Sequence, residues 1–236
     1  MKKILLIISF LIFSYSFSQK LNGKVIYSKE FNKSAPKDTL HEKVNQIKNA
    51  VYEMIVKSAK SLEYELKINN NTSSFEIINS LESESLAAKI SGGAGFYYTD
   101  QYNCLRKVDR FGETFIIKYK ADRIKWTLIN ENKKIGKYLC YKAITKYKKS
   151  ENSTYYYEIV AWYTSELPVK FGPIGFSNLP GLILELTFNN KATYKMKKVD
   201  FTINNIEIKK PVNGKVVTAE EYTKIVKENV DKRLNR

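Results

Sequence analysis

The sequence predicts an α+β fold that is mostly β: a strongly curved antiparallel sheet, a half-open barrel, with one long N-terminal helix packed on or over its concave side and a C-terminal helix. Three observations lead there. Between Leu62 and Ile203 apolar residues recur at alternate positions, the period of a strand. Asn-rich and Pro/Gly-rich breaks cut that stretch into short pieces that read as successive hairpins. Steps of three and four occur twice, once early and once at the end. Many consecutive hairpins in one sheet are expected to bow it, and a two-sheet sandwich is the alternative.

Gly23 to Phe31 alternates Val25 and Tyr27 with polar neighbours and reads as a first strand, stopped by Pro36. Leu40, Val44, Ile47, Val51, Met54 and Ile55 then follow helical spacing, with Thr39 and Glu42 placed as a capping box and His41 in the first turn. That apolar stripe suits packing on a sheet. Leu62, Tyr64, Leu66 and Ile68 form a strand, and Asn69-Asn70-Asn71 turns it into a partner holding Phe75 and Ile77. Leu81 to Ser91 shows no clear period, and Gly92-Gly93-Ala94-Gly95 breaks the chain. Short strands at Phe96 to Thr99 and Cys104 to Val108 come next. Phe115, Ile117 and Tyr119 alternate, Ala121-Asp122 turns, and Ile124, Trp126 and Leu128 alternate back, the clearest hairpin in the sequence.

Leu139 to Tyr147 and Tyr155 to Tyr163 read as two more strands, followed by a Pro/Gly-dense stretch from Pro168 to Gly181 and then by Leu182, Leu184, Leu186 and Phe188. Tyr194 and Met196 occupy even positions whereas Val199, Phe201 and Ile203 occupy odd ones, so a β-bulge is expected near Lys197-Lys198. Thr218 and Glu221 make a second capping box before the amphipathic stretch Tyr222, Ile225, Val226, Val230, Leu234.

Lys2 and Lys3, the apolar run Ile4 to Phe13, and small Ser16 and Ser18 form the three parts of a secretory signal, with cleavage expected after Ser18. The run is too short for a membrane span, which needs about 20 apolar residues. The expected organisation is therefore a signal peptide over 1–18 and one domain over 19–236, in the periplasm or otherwise exported, with no transmembrane segment after cleavage. The chain is strongly basic, at a formal net charge of +16. Export removes nucleic acid as a counterpart and leaves an anionic envelope surface or an acidic protein. Cys104 and Cys140 are candidates for one disulfide in an oxidising compartment, the alternative being two buried thiols. There is no Cys-x-x-Cys, and His41 is the only histidine, so no metal and no cofactor are expected.

Three blocks resemble, in order and at compatible spacing, the GLPGLI family of exported Gram-negative proteins. They are Trp126 with Ile135-Gly136-Lys137-Tyr138-Leu139-Cys140-Tyr141-Lys142-Ala143, Ala161-Trp162-Tyr163-Thr164-Ser165-Glu166-Leu167-Pro168, and Gly172-Pro173 with Asn178-Leu179-Pro180-Gly181-Leu182-Ile183. Asn178 stands where the motif that names the family begins with Gly; Asn is a good substitute in left-handed backbone. The resemblance implies export and a β-rich fold, and brings no activity, cofactor or catalytic residue with it.

Physically, Pro168 ends a strand and Pro180-Gly181 sets a tight turn. One reading makes this block a shaped corner between two strands, with Trp162 and Leu182 buried. The functional reading makes it a recognition rim, with Trp162, Tyr163, Phe171, Phe176 and Leu179 around a groove held rigid by Pro168, Gly172, Pro173, Pro180 and Gly181. No Gly-x-Ser-x-Gly, His-Glu-x-x-His or phosphate loop occurs, so the chain is read as a non-enzymatic binding module. Its counterpart is either an apolar ligand or an envelope protein complex that docks on the Trp162 to Leu182 corner. A two-carboxylate hydrolase using Glu166 and Glu185 is the remote alternative.

Overall fold

The structure, a computed structural model, describes residues 21–31, 42–78, 95–148, 154–203 and 205–234. Five strands run as one meander: β2 (Glu63–Asn69), β3 (Thr72–Ile77), β4 (Phe96–Thr99), β5 (Asn103–Arg110) and β6 (Glu113–Lys120). Five more form a second: β7 (Thr127–Ile135), β8 (Tyr138–Tyr147), β9 (Tyr157–Thr164), β10 (Leu182–Phe188) and β11 (Ala192–Asp200). The first strand, β1 (Asn22–Phe31), lies between β2 and β11 and joins both meanders into one sheet. With β12 (Lys215–Thr218) on the outside, the order is β12-β6-β5-β4-β3-β2-β1-β11-β10-β9-β8-β7. Every pairing is antiparallel except β12 on β6.

This corrects the expected architecture. The twelve strands make a broad sheet that is neither closed nor strongly curled, with β12 and β7 as its two outer strands. The edges explain why it stays open. β7 carries Asn130, Asn132, Lys133 and Lys134 and is largely exposed, the composition that discourages further pairing. No long N-terminal helix covers a concave side. The helix α1 (Glu42–Lys60) lies beside β1, and Met54, one of the residues expected to pack inward, is 51% exposed. The C-terminal helix, α2 (Ala219–Leu234), packs on the sheet through Tyr222 on Phe115 with ring centres 5.5 Å apart. Thr39, His41 and Leu81 to Ser91 lie outside the described residues.

The hairpin expected across Ala121-Asp122 does not form. β6 pairs with β5 and β12, β7 pairs with β8, and a short 3-10 turn at Ala121–Arg123 begins the crossing between them. Alternation reports which face a residue takes and not which strand it meets, so two good strands either side of a turn were indistinguishable from a hairpin. The expected bulge is present: Ile26 pairs with Lys198 and Tyr27 with Met196, leaving Lys197 as the extra residue on β11. The second capping box also forms, with Glu221 accepting from the Thr218 amide at 2.7 Å and Thr218 Oγ1 accepting from the Glu221 amide at 3.2 Å.

The core is centred on β1, β2, β9 and β10, where Tyr27, Tyr64, Leu66, Ile159, Leu182, Ile183 and Leu184 are almost fully buried. Each such side chain contributes about 1.5–3 kcal/mol of burial free energy. Leu182, Ile183 and Leu184 are consecutive, so β10 is covered on both faces. One cover is the Pro168 to Gly181 corner, which folds back so that the Phe171 carbonyl accepts from the Ile183 amide at 3.1 Å.

Candidate functional site

The predicted rim is mostly core. Tyr163, Phe171, Phe176 and Leu179 are buried, and Leu179 is 1% exposed. Phe171 bridges to Ser177 across the corner, Pro173 opens a 3-10 turn closed by the Phe176 amide, and Gly172 lies against Ile183. Asn178 takes φ 72°, the left-handed conformation its position in the motif implied. Trp162 alone of the aromatics is partly exposed, with Lys133 Nζ 4.4 Å above its ring. Pro168 and Phe171 also border a recess of about 680 Å³ with Asn70, Asp100 and Asn178. The motif is thus brought together as a packed corner, and Leu182 lies buried beneath it.

Its two acids are engaged. Glu166 Oε1 accepts from the Leu139 amide at 2.8 Å, and Glu185 pairs with Lys133 at 2.8 Å. The two cysteines are not joined. Cys104 on β5 and Cys140 on β8 are both buried free thiols, several strands apart in the sheet. Cys140 donates to the Tyr138 carbonyl at 3.7 Å, and burial pushes its thiol up to about 11. Two basic neighbours signalled two half-polar faces, but face says nothing of the spacing a disulfide needs.

A different constellation occupies the sheet face on the side of α2. A cavity of about 480 Å³ draws one inward residue from each of many strands: Lys29 from β1, Tyr97 from β4, Arg106 from β5, Tyr119 from β6, Tyr147 from β8 and Tyr194 from β11. Arg123, Phe176 and, from α2, Tyr222 complete the wall. Period two puts them there. Lys29 continues the inward register of Val25 and Tyr27, and Arg106 shares the face of Cys104 and Val108. A cation on a core register was the available sequence signal, and it lay in residues that look like ordinary surface charge.

The cations are held on aromatic faces. Lys29 Nζ lies 5.2 Å from the Tyr194 ring, Arg106 Cζ 5.6 Å from Tyr97, and Arg123 Cζ 4.8 Å from Tyr119. Ring quadrupoles offset part of the desolvation that a buried charge suffers. Lys29 is 7% exposed, and that burial pulls its ammonium down to about 8. Burial also raises the phenols of Tyr97, Tyr119, Tyr147 and Tyr194, which keeps them protonated and able to donate. Arg123 Nη2 donates to the Gly175 carbonyl at 3.2 Å, and its guanidinium also meets Tyr147 and Cys104. Among the described residues no carboxylate lines this cavity.

An adjoining recess of about 720 Å³ shares Tyr119, Arg123 and Tyr147 with the cavity and adds Lys118, Lys120, Lys146 and Lys148, with Glu220 as its one described acid. No group of described residues has the composition of a metal site, and no described helix is long and apolar enough to cross a membrane.

Residues 144–185 match a family described as "Protein of unknown function (Porph_ging)". This stretch runs from β8 through the packed corner into β10. No curated protein matches the chain. Among solved structures, one titled "Structure of PNGF-II in P21 space group" is 18% identical with a TM-score of 0.51, over 87% of this chain and 33% of that one. A second, "Structure of PNGF-II in C2 space group", is 16% identical with a TM-score of 0.52, over 87% and 32%. At such identity the likeness is one of fold alone. The chain spans about a third of the length of the solved chains it resembles.

Proposed function

We propose that this protein is an exported, envelope-associated binding module of the GLPGLI type that holds a small ligand with an apolar or aromatic body in the tyrosine-lined cavity on the α2 side of the sheet. The cavity itself carries the reading: about 480 Å³ walled by side chains from separate strands and one helix, within the volume range of small-molecule sites. The leader-like N-terminus supports export, and the 144–185 match overlaps the GLPGLI-like blocks. Binding is favoured over hydrolysis because Glu166 and Glu185 already have partners. It is favoured over docking through the corner because Trp162 is the one rim aromatic left partly exposed.

The test is saturable binding of the uncharged dye N-phenyl-1-naphthylamine to the purified protein, read by fluorescence. Ala192→Trp, which places an indole at the cavity wall, is expected to abolish binding while leaving the melting curve intact. Absence of saturable binding, or binding indifferent to that substitution, refutes the reading.

A further inference from the structure

The cavity and the recess beside it share the Arg123, Tyr119 and Tyr147 wall, Tyr222 borders the cavity, and basic side chains line both hollows. Arg123 Nε and the Tyr222 hydroxyl are buried side-chain atoms with no hydrogen-bond partner. Buried donors normally find an acceptor, so two around one cavity mark where an acceptor belongs. The charge around them is one-sided. Lys29, Arg106, Arg110 and Arg123 border the cavity, and Lys118, Lys120, Lys146 and Lys148 border the recess.

Elsewhere on the sheet lysines meet acids. Lys24 pairs with Glu65, Lys133 with Glu185, Lys142 with Glu131, Lys195 with Glu30, and Lys197 with Glu63. No ion pair joins Arg110, Arg123, Lys118, Lys120 or Lys146 to a described carboxylate. Among the described residues Glu220 is the one acid that borders this region. Gathering like charges in a half-desolvated hollow is costly unless a counter-charge arrives, and low-dielectric walls focus the resulting field on whatever enters.

We infer that the site takes a small organic anion, a carboxylate or phosphate carried on a flat or apolar body, with the acidic group at Arg123 and Tyr222 and the body against the cavity's tyrosine and phenylalanine rings. This rests on the binding-module reading and names its ligand class. The guanidinium offers Nε to an acidic oxygen while Nη2 stays on the Gly175 carbonyl, so Arg123 binds without giving up its anchor. The lysines of the recess draw the anion toward that junction.

The experiment compares two dyes that differ in charge, 1-anilinonaphthalene-8-sulfonate and uncharged N-phenyl-1-naphthylamine, on the purified protein. The sulfonate is expected to bind about tenfold tighter or more, the size of one charge-assisted hydrogen bond, and to weaken as salt rises. Arg123→Gln is expected to weaken the sulfonate about tenfold more than it weakens the neutral dye. Tyr222→Phe keeps the ring on Phe115, removes only the unpartnered hydroxyl, and is expected to melt no lower than the parent while binding the sulfonate several-fold more weakly. It gives the answer even if Arg123→Gln fails to fold. Competition by phthalate against phenyl phosphate then separates carboxylate from phosphate. Equal affinity for both dyes, or a loss in Tyr222→Phe that is equal for both, overturns the anion assignment and leaves the binding module standing. Binding of neither dye overturns both.

Discussion

An alanine at Gly181 would place its Cβ on the Thr164 carbonyl oxygen, 2.5 Å from the Thr164 carbonyl carbon and 3.0 Å from the Ser165 nitrogen. All three are backbone atoms, and Thr164 is paired with Leu182 at the start of β10, so no side chain can swing aside. Gly181 also has φ +155°, outside the range L-residues favour. Overpacking of about 1–3 kcal/mol adds to backbone strain of about 1–3 kcal/mol, giving about 2–6 kcal/mol in total. Gly112 is the control, since it has φ +83° and nothing within 4 Å of a new Cβ. Gly112→Ala therefore suffers strain alone, partly offset by the reduced entropy of the unfolded chain, and nets about 1 kcal/mol or less. For a chain of this size about 2–4 °C of melting temperature corresponds to each kcal/mol. Gly181→Ala should then melt about 4–24 °C below the parent and Gly112→Ala within about 4 °C of it. Calorimetry or circular dichroism reads both. If the two variants melt together, the corner is not packed as described.

Tyr27→Phe removes the 2.6 Å hydrogen bond to the Ile183 carbonyl inside the core and should lower the urea midpoint by the equivalent of about 1–2 kcal/mol at unchanged slope; an unchanged midpoint would mean that the hydroxyl is not buried there. Mass spectrometry of unreduced protein should show both thiols free, and brief alkylation of the native protein near pH 8 should spare Cys140, whose pKa stands at about 11; a mass lower by two hydrogens would contradict the fold around β5 and β8. Lys29 is depressed to about 8 from 10.5, so the folded protein sheds that proton before the unfolded chain does. Ligand-free stability should therefore gain a contribution as pH rises from about 8 to 10.5, while affinity for the sulfonate dye begins to fall as pH rises through about 8. Lys29→Met should flatten both profiles, and profiles that keep their shape in that variant would rule Lys29 out as the titrating group.

Local physics was legible where a residue's own neighbours decide the outcome. The alternation of Leu62 to Ile68 and of Tyr157 to Tyr163 set which side chains face inward, because successive Cβ atoms alternate whatever the strand pairs with. The parity change after Met196 required an extra residue, and Lys197 is that residue. Thr218 and Glu221 lie one turn apart, so their reciprocal bonds follow from helix geometry alone. Asn178 in left-handed backbone belongs with these.

Partner choice was not legible, and the candidate site depended on it. Trp162, Phe171 and Phe176 looked like a rim because aromatic residues on a Pro/Gly turn read the same whether the turn stands out or folds back over Ile183. Tyr119 and Tyr147 share a cavity wall only because the chain crosses between meanders at Ala121–Arg123 instead of returning as a hairpin. The sequence by itself determined most of the strands and their faces, the bulge, the second cap and the excess of positive charge, but not β12 or the run of β7 through Asn130 to Lys134. Tertiary structure alone decided that β1 would join two meanders into one open sheet and that Lys29, Arg106 and Arg123 would meet around a single hollow. The physical reason is that periodicity is a property of one strand, whereas register and strand order are settled by competition among distant pairings with similar local energies.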